Sequence, residues 1–182
     1  MRFLFITLAV VGLLHTSYSM AICPPVITNG KLYGILPMAN QTVTYSEVVD
    51  CGTISQADLY RRARLWVAQS CQSPGVTLAL SDKETGDIVG GFMQIVTLPR
   101  SERSIGGLYT FRYSFVIECT NRKYRATITQ IELEDNGAKP TPIETYCQKS
   151  ETDLQAIYSV LDQQLKSRLA SLQEAVKNYK SF

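Results

Sequence analysis

Acidic side chains cluster in one polar turn and along two neighbouring predicted strands of this chain. The cluster consists of Asp82, Glu84, Asp87, Glu118, Glu132 and Glu134. Two carboxylates held at a defined separation can hydrolyse a glycosidic bond, so we keep a carboxylate-dependent enzyme as an alternative function. Solvated acids in a turn are the commoner arrangement. The turn also departs from a calcium loop, which needs glycine at its sixth position, because Gly86 is the fifth residue counted from Asp82.

Cysteine is the other residue type that could carry chemistry. The five cysteines are Cys23, Cys51, Cys71, Cys119 and Cys147. No two of them have the spacing of a C-x-x-C redox or zinc motif. A cysteine nucleophile needs a base partner, usually histidine, and the only histidine, His15, lies within the first 21 residues. We therefore assign no catalytic residue, metal site or cofactor, and a cysteine-dependent enzyme stays an alternative.

Residues 1–21 have the pattern of a cleaved export signal. Arg2 supplies a positive charge, an apolar run extends from Phe3 to Leu14, and Ser19-Met20-Ala21 fits the small-x-small cleavage pattern. The run is too short to cross a bilayer comfortably, so we expect no integral membrane span. We predict cleavage after Ala21 or after Ser19, and export to the periplasm or the extracellular space.

The charge of the chain is nearly balanced, with 18 basic and 16 acidic side chains and a formal net charge of +2. Nucleic-acid binding needs a basic face, and basic residues group together only at 61–64 and 122–125. Solvated charges on a helix and at a turn explain both groups. We therefore expect no nucleic-acid partner.

Composition divides the rest of the chain into a short arm and one domain. The arm contains Pro24, Pro25, Gly30, Gly34 and Pro37. These residues predict that 22–42 is irregular, with at most a short strand over 31–36. Residues 43–182 are predicted to form a single α+β domain, which includes a C-terminal helix over about 151–180.

A strand and a helix open the predicted domain. Residues 43–51 are rich in β-branched side chains and predict the first strand. Ser55 can cap a helix that runs to about Ser70, in which apolar residues recur at helical spacing. Trp66 lies on this apolar stripe, so we interpret it as a core anchor rather than a residue that stacks on a ligand.

Four further strands follow and predict an antiparallel meander. The fourth strand of the sheet carries aromatic side chains at alternate positions: Tyr109, Phe111, Tyr113 and Phe115. This alternation favours a sheet with one covered and one wetter face, and we interpret the four residues as core anchors.

A tight turn at 121–122 sets the register between the fourth and fifth strands. It places Phe115 beside Ile128 on the core face, and likewise Ile117 beside Ala126. On the other face it places Glu118 beside Arg125, a pair of opposite charges.

The last helix is marked by apolar residues at helical spacing from Leu154 to Val176, uninterrupted by Gly or Pro. Ser150 or Thr152 can cap it. At 1.5 Å per residue it would be on the order of 40 Å long, longer than we expect the sheet to be. Its last turns would then project, pair with a partner or fray, so a role as an assembly component is a further alternative.

The predicted topology also indicates one disulfide bond. If the first strand pairs with the fifth, Cys71 and Cys147 come to the same end of the sheet. Cys51 and Cys71 lie at opposite ends of a helix of about 24 Å, too far apart for the Cα separation of about 6 Å that a disulfide needs. Cys51 and Cys119 are separated by two strand spacings, about 10 Å. We therefore predict Cys71–Cys147 and leave Cys23, Cys51 and Cys119 unpaired or variably paired.

The order of elements predicts an α+β protein of helix-grip type, in which a curved antiparallel sheet (β-α-β-β-β-β-α) packs on a long C-terminal helix. Four stretches resemble the bacterial domain-of-unknown-function family 4468, whose fold is described as TATA-binding-protein-like. They are residues 59–66, 82–91, 113–118 and 123–125. The resemblance implies export in bacteria and a curved sheet that grips a helix. It implies no activity.

These features favour a non-enzymatic binding or interaction protein of the bacterial cell envelope. The partner would be an envelope protein or a small apolar ligand. A sheet curved against a long helix can enclose an apolar cavity, which the aromatic row of the fourth strand would then line.

Overall fold

The structure of the protein is a computed structural model, and it describes residues 24–70, 75–100, 106–135 and 139–179. The predicted export signal, residues 1–21, lies outside the described residues. Cys23 and Cys71 also lie outside them.

The sequence had indicated an irregular arm after the predicted signal. The arm instead forms a small antiparallel meander. Its four strands are β1 (Ile27–Thr28), β2 (Lys31–Leu32), β3 (Leu36–Ala39) and β4 (Thr42–Val43). Asn29-Gly30, Tyr33-Gly34 and Asn40-Gln41 all have positive φ angles, the conformation that tight hairpin turns need. Leu32 and Leu36 are fully buried, so the meander adds to the core.

A six-stranded antiparallel sheet forms the body of the protein. Its strands are β5 (Tyr45–Asp50), β6 (Thr77–Asp82), β7 (Asp87–Leu98), β8 (Gly107–Thr120), β9 (Lys123–Asp135) and β10 (Thr141–Pro142). The strand order is β10-β9-β8-β7-β6, and β5 pairs with β9. The pairing of the first predicted strand with the fifth, on which the disulfide argument depended, is therefore present.

The register between β8 and β9 is the predicted one near their turn. Phe115 lies opposite Ile128, and Ile117 lies opposite Ala126. Arg122 occupies the turn with a φ angle of 74°. The short turn fixes the register because it leaves the flanking residues no freedom to slip.

A β-bulge interrupts this register further along the two strands. The pairing shifts between Arg112 and Ser114, and Gln130 on β9 has a φ angle of 53°. A bulge adds one residue to one strand, bends that strand and increases its twist. The sheet is therefore curved at this point.

Two helices pack on one face of the sheet. They are α1 (Gln56–Ser70) and α2 (Glu151–Lys177). The Ser55 hydroxyl accepts the backbone N–H of Asp58 at 3.3 Å, and the Ser150 hydroxyl accepts that of Asp153 at 3.2 Å. Each serine thus satisfies an N–H that the first helical turn leaves without a partner. The sequence had indicated Ser150 or Thr152 for α2, and Ser150 is the cap.

From the length of α2 we had expected its last turns to project, pair with a partner or fray. They pack against the rest of the protein instead. Leu172 and Val176 are fully buried. Arg62 on α1 donates a hydrogen bond to the backbone carbonyl of Val176 at 2.8 Å. The C-terminal part of α2 packs against α1, so that α1 and the sheet together cover α2. Neither described helix combines the length and apolar character that a membrane crossing needs.

Candidate functional site

The aromatic residues that the sequence placed in the core are all buried. Trp66, Tyr109, Phe111, Tyr113 and Phe115 are each at most 5% exposed. The Trp66 ring centroid lies 5.4 Å from that of Phe115, in the range of favourable aromatic contacts. The row on β8 therefore contributes to packing between the sheet and the helices.

The described cysteines are not arranged for catalysis. Cys51 and Cys119 are buried free thiols. Burial raises the pKa of Cys51, and it raises the pKa of Cys119 to about 12, with a further contribution from the nearby Asp87. A protonated thiol is a poor nucleophile. These two groups therefore give no support to a cysteine-dependent enzyme.

The third described cysteine, Cys147, takes part in a disulfide bond. Because Cys51 and Cys119 are free, neither is its partner. Cys71 lies outside the described residues, so the Cys71–Cys147 bond stays a prediction.

Two of the six acidic residues that the sequence singled out, Glu118 and Glu134, are held in ion pairs with arginines. Arg125 donates to Glu118 at 2.6 Å, and this hydrogen bond lowers the pKa of Glu118. Arg112 donates to Glu134 at 2.7 Å. A carboxylate with a lowered pKa stays ionised and cannot serve as a general acid at neutral pH. Within the described ranges no three His, Cys, Asp or Glu residues are grouped so as to hold a metal ion.

Three arginines of the two basic groups make structural contacts. Arg61 pairs with Asp58 at 3.6 Å, and Arg62 is bound to the carbonyl of Val176. Arg122 donates to the carbonyl of Gly52 at 3.0 Å. Each arginine stabilises a helix or a turn, and none of these contacts presents a face suited to phosphates.

A concave surface lies on the face of the sheet turned away from the helices. This outer groove has a volume of about 710 Å³, within the range of ligand sites. It crosses the sheet, because residues of β6, β7, β8, β9 and β10 line it, together with residues of β4 and of the segment after β10. They include Thr42, Thr77, Gly91, Ser114, Gln130 and Glu144.

The centre of the outer groove is formed by small residues and the bulge. Gly91 lies opposite Ser114, and a Cβ at Gly91 would come within 2.9 Å of the Thr77 hydroxyl oxygen. Glycine therefore keeps β6 and β7 close and the groove open. The Ser114 hydroxyl donates to Gln130 Oε1 at 2.7 Å, which holds the amide of Gln130 at the surface of the groove.

Gln130 is the residue that we did not identify from the sequence. A left-handed backbone in a residue other than glycine is uncommon and often marks a functional position. A sequence signal was present, since the buried residues Ile128 and Ile131 are three positions apart, whereas regular alternation would place them two apart. That spacing indicates a bulge, with Thr129 and Gln130 together on one side.

Comparison with known proteins gives a family but no activity. A family model described as a domain of unknown function (DUF4468) with TBP-like fold matches residues 45–134. None of the curated proteins compared with the chain matches it.

Two crystal structures share the fold. A DUF4468 family protein from Bacteroides ovatus is 15% identical, with a TM-score of 0.67 over 81% of this chain and 93% of that one. A TBP-like protein from Parabacteroides distasonis is 18% identical, with a TM-score of 0.64 over 80% of this chain and 99% of that one. These likenesses bear out the predicted α+β class, with its antiparallel sheet and C-terminal helix. Residues 45–134 of the chain therefore match the DUF4468 family, which has a TBP-like fold.

Proposed function

We propose that this protein is an exported, non-enzymatic binding protein of the bacterial cell envelope, and that its outer groove holds an extended segment of another polypeptide. The observation that carries the proposal is the groove itself, which crosses five strands and has the left-handed residue Gln130 at its centre.

The chemistry of the outer groove suits a peptide backbone. Gln130 offers its amide N–H groups, because its oxygen already accepts the bond from Ser114. Thr42 and Thr77 contribute hydroxyls that can donate or accept. A peptide presents alternating N–H and C=O groups along its length. Uncharged donors and acceptors of this kind can therefore bind its backbone without requiring a charged side chain on the peptide.

Other ligand classes fit the outer face less well. The strand positions that alternate with the buried ones in β7, β8 and β9 hold no aromatic side chain, and nucleobases generally need such rings for stacking. Arg112 and Arg125 on this face are paired with Glu134 and Glu118. These two ion pairs reduce the charge that this face can offer to phosphates.

The proposal of export rests on the sequence pattern of residues 1–21. The number of cysteines agrees with an oxidising compartment, since disulfides persist there. Cys147, one of the five, takes part in such a bond.

The two alternative functions have less support among the described residues. An enzyme would need an activated nucleophile or acid, whereas burial raises the pKa of Cys119 and a hydrogen bond lowers that of Glu118. An assembly component acting through α2 would need an exposed apolar surface on that helix. Its apolar stripe is buried as far as Val176.

The test uses a bulky substitution that fills the outer groove. Peptides are selected from a displayed random library on the purified protein, and their affinities are measured for the protein, for Ser114→Trp and for Leu108→Trp. Leu108 lies on the same strand and is 64% exposed, so it is the matched control. We expect Ser114→Trp to weaken binding at least about tenfold, which corresponds to about 1.4 kcal/mol, and Leu108→Trp to leave it unchanged.

Peptides that bind Ser114→Trp as tightly as the unchanged protein would contradict a role for the outer groove. The proposed export is tested separately by the intact mass of the protein recovered from the envelope fraction. A mass that still includes residues 1–14 would contradict it.

A further inference from the structure

A second cleft lies on the helix side of the sheet, between α2 and β7. It has a volume of about 420 Å³, and six residues line it: Gln94, Gln163, Gln164, Ser167, Arg168 and Ser171. All six are polar and none is acidic. We call it the Arg168 cleft.

Arg168 is held in position without being neutralised. Its guanidinium carbon lies 5.3 Å from the centre of the Phe92 ring, a cation–π contact that fixes the plane of the group. It donates a long hydrogen bond to Gln94 Oε1 at 3.4 Å. Within the part of the chain that the structure describes, Arg168 forms no ion pair with a carboxylate. Most of its donors are therefore available.

One buried polar atom of the cleft has no hydrogen-bond partner. It is the amide oxygen Oε1 of Gln164, and Gln164 lines the cleft. Buried polar groups are nearly always hydrogen-bonded, so an unsatisfied acceptor beside a cation indicates a ligand site. The Tyr113 hydroxyl, in a residue that is 3% exposed, lies close to Arg168. Burial raises the pKa of this hydroxyl, and the Arg168 guanidinium opposes that rise through its charge and a hydrogen bond.

We propose that the Arg168 cleft binds the carboxylate group of a small organic acid. A guanidinium fork matches a carboxylate with two parallel N–H···O bonds. The hydroxyls of Ser167 and Ser171 can donate to the same anion, and Gln164 Oε1 can accept from a hydroxyl or amide elsewhere on the ligand. One arginine with neutral donors balances a single negative charge, which favours a carboxylate over a doubly charged phosphate.

The only tryptophan of the chain reports on this cleft. Trp66 donates its indole N–H to the Ser171 hydroxyl at 3.1 Å, and Ser171 lines the cleft. An anion that recruits this hydroxyl would change the surroundings of the indole. Trp66 fluorescence therefore follows binding without an added label.

The experiment titrates the purified protein with acetate, succinate and inorganic phosphate at constant ionic strength. We expect a saturable change in Trp66 fluorescence with acetate or succinate, together with a shift of the Arg168 Nε–H signal in NMR spectra. Arg168→Gln should weaken binding at least about tenfold, because hydrogen bonds to charged groups are among the stronger ones. Arg168→Lys should also weaken it, since lysine lacks the planar fork.

Two variants guard against indirect effects. Tyr113→Phe removes only the hydroxyl beside Arg168 and should lower affinity without changing the fold, which circular dichroism checks. Arg64→Gln removes an exposed arginine from α1 and should leave binding unchanged. Saturation by phosphate alone would overturn the carboxylate assignment. Saturation by no probe, or equal binding by Arg168→Gln, would overturn the site itself. The outcomes for the Arg168 variants do not depend on the outer groove, which Arg168 does not line.

Discussion

Trp66 on α1 donates its indole N–H to the hydroxyl of Ser171 on α2 at 3.1 Å, across 105 residues of sequence. The indole is 5% exposed, and its ring also packs on Phe115 of β8. One residue thus contacts both helices and the sheet. The two helices and the sheet are therefore expected to unfold together.

The first prediction concerns this contact. Trp66→Ala should lower the free energy of unfolding by about 3–5 kcal/mol, because it removes a large buried side chain and leaves a cavity. Urea unfolding followed by circular dichroism measures the change. The neighbouring Leu65 is 42% exposed, so Leu65→Ala should change stability by less than about 1 kcal/mol. A similar loss for both variants would show that the indole has no special role.

The second prediction concerns the end of α2. Leu172→Ala should cost about 2–5 kcal/mol of stability, since Leu172 is fully buried. Glu174→Ala, an exposed change on the same helix, should have little effect. Light scattering of both variants tests the assembly alternative: if Leu172→Ala alters the oligomeric state but not the stability, the last turns act in association rather than in folding.

The third prediction concerns the free thiols. Cys51 and Cys119 are buried, and burial raises the pKa of both, that of Cys119 to about 12. A thiol reagent at mildly alkaline pH should therefore label them only after unfolding. Mass spectrometry of labelled peptides, with and without denaturant, measures this. Rapid labelling of either residue in the native protein would contradict this prediction and support a cysteine-dependent enzyme.

The fourth prediction concerns the pH dependence of stability. Burial raises the pKa of Glu47 above its ordinary value of 4.5, and its Oε1 atom is buried without a hydrogen-bond partner. Because this pKa is raised in the folded state, the contribution of Glu47 to the stability of the fold is fully present below the ordinary pKa. It is lost as the pH rises through the pKa of the folded state. Glu47→Gln should therefore be more stable than the unchanged protein at neutral pH, and equal to it in acid.

Denaturation midpoints across this pH range test the Glu47 prediction. Glu118→Gln is the contrasting control, because Arg125 lowers the pKa of Glu118. The stabilisation that Glu118 gains from Arg125 is fully present above the ordinary pKa of a glutamate. It is lost as the pH falls through the lower pKa that Glu118 has in the folded protein. The two variants should thus deviate from the unchanged protein in opposite directions at neutral pH. Equal stability of Glu47→Gln at every pH would contradict the burial of the carboxylate.

Local patterns in the sequence were sufficient for most of the fold. The alternation in β8 and the turn at 121–122 together predict that Glu118 lies beside Arg125, which the register confirms. This works because a strand repeats every two residues and a short turn permits only one register. The meander at residues 27–43 was missed because its proline and glycine residues were taken as signs of irregular structure, although Asn29-Gly30 is a strong hairpin signal.

The sequence by itself determined both helices, the long strands with most of their buried positions and the family resemblance, since these follow from spacing along a single chain. Only the tertiary structure decided what lies between the elements. The outer groove depends on how the bulge at Gln130 curves the sheet. The Arg168 cleft depends on α2 crossing β7, which brings Arg168 to Gln94, 74 positions away. Such contacts between distant residues depend on how whole elements pack, and no local period of the sequence records that packing.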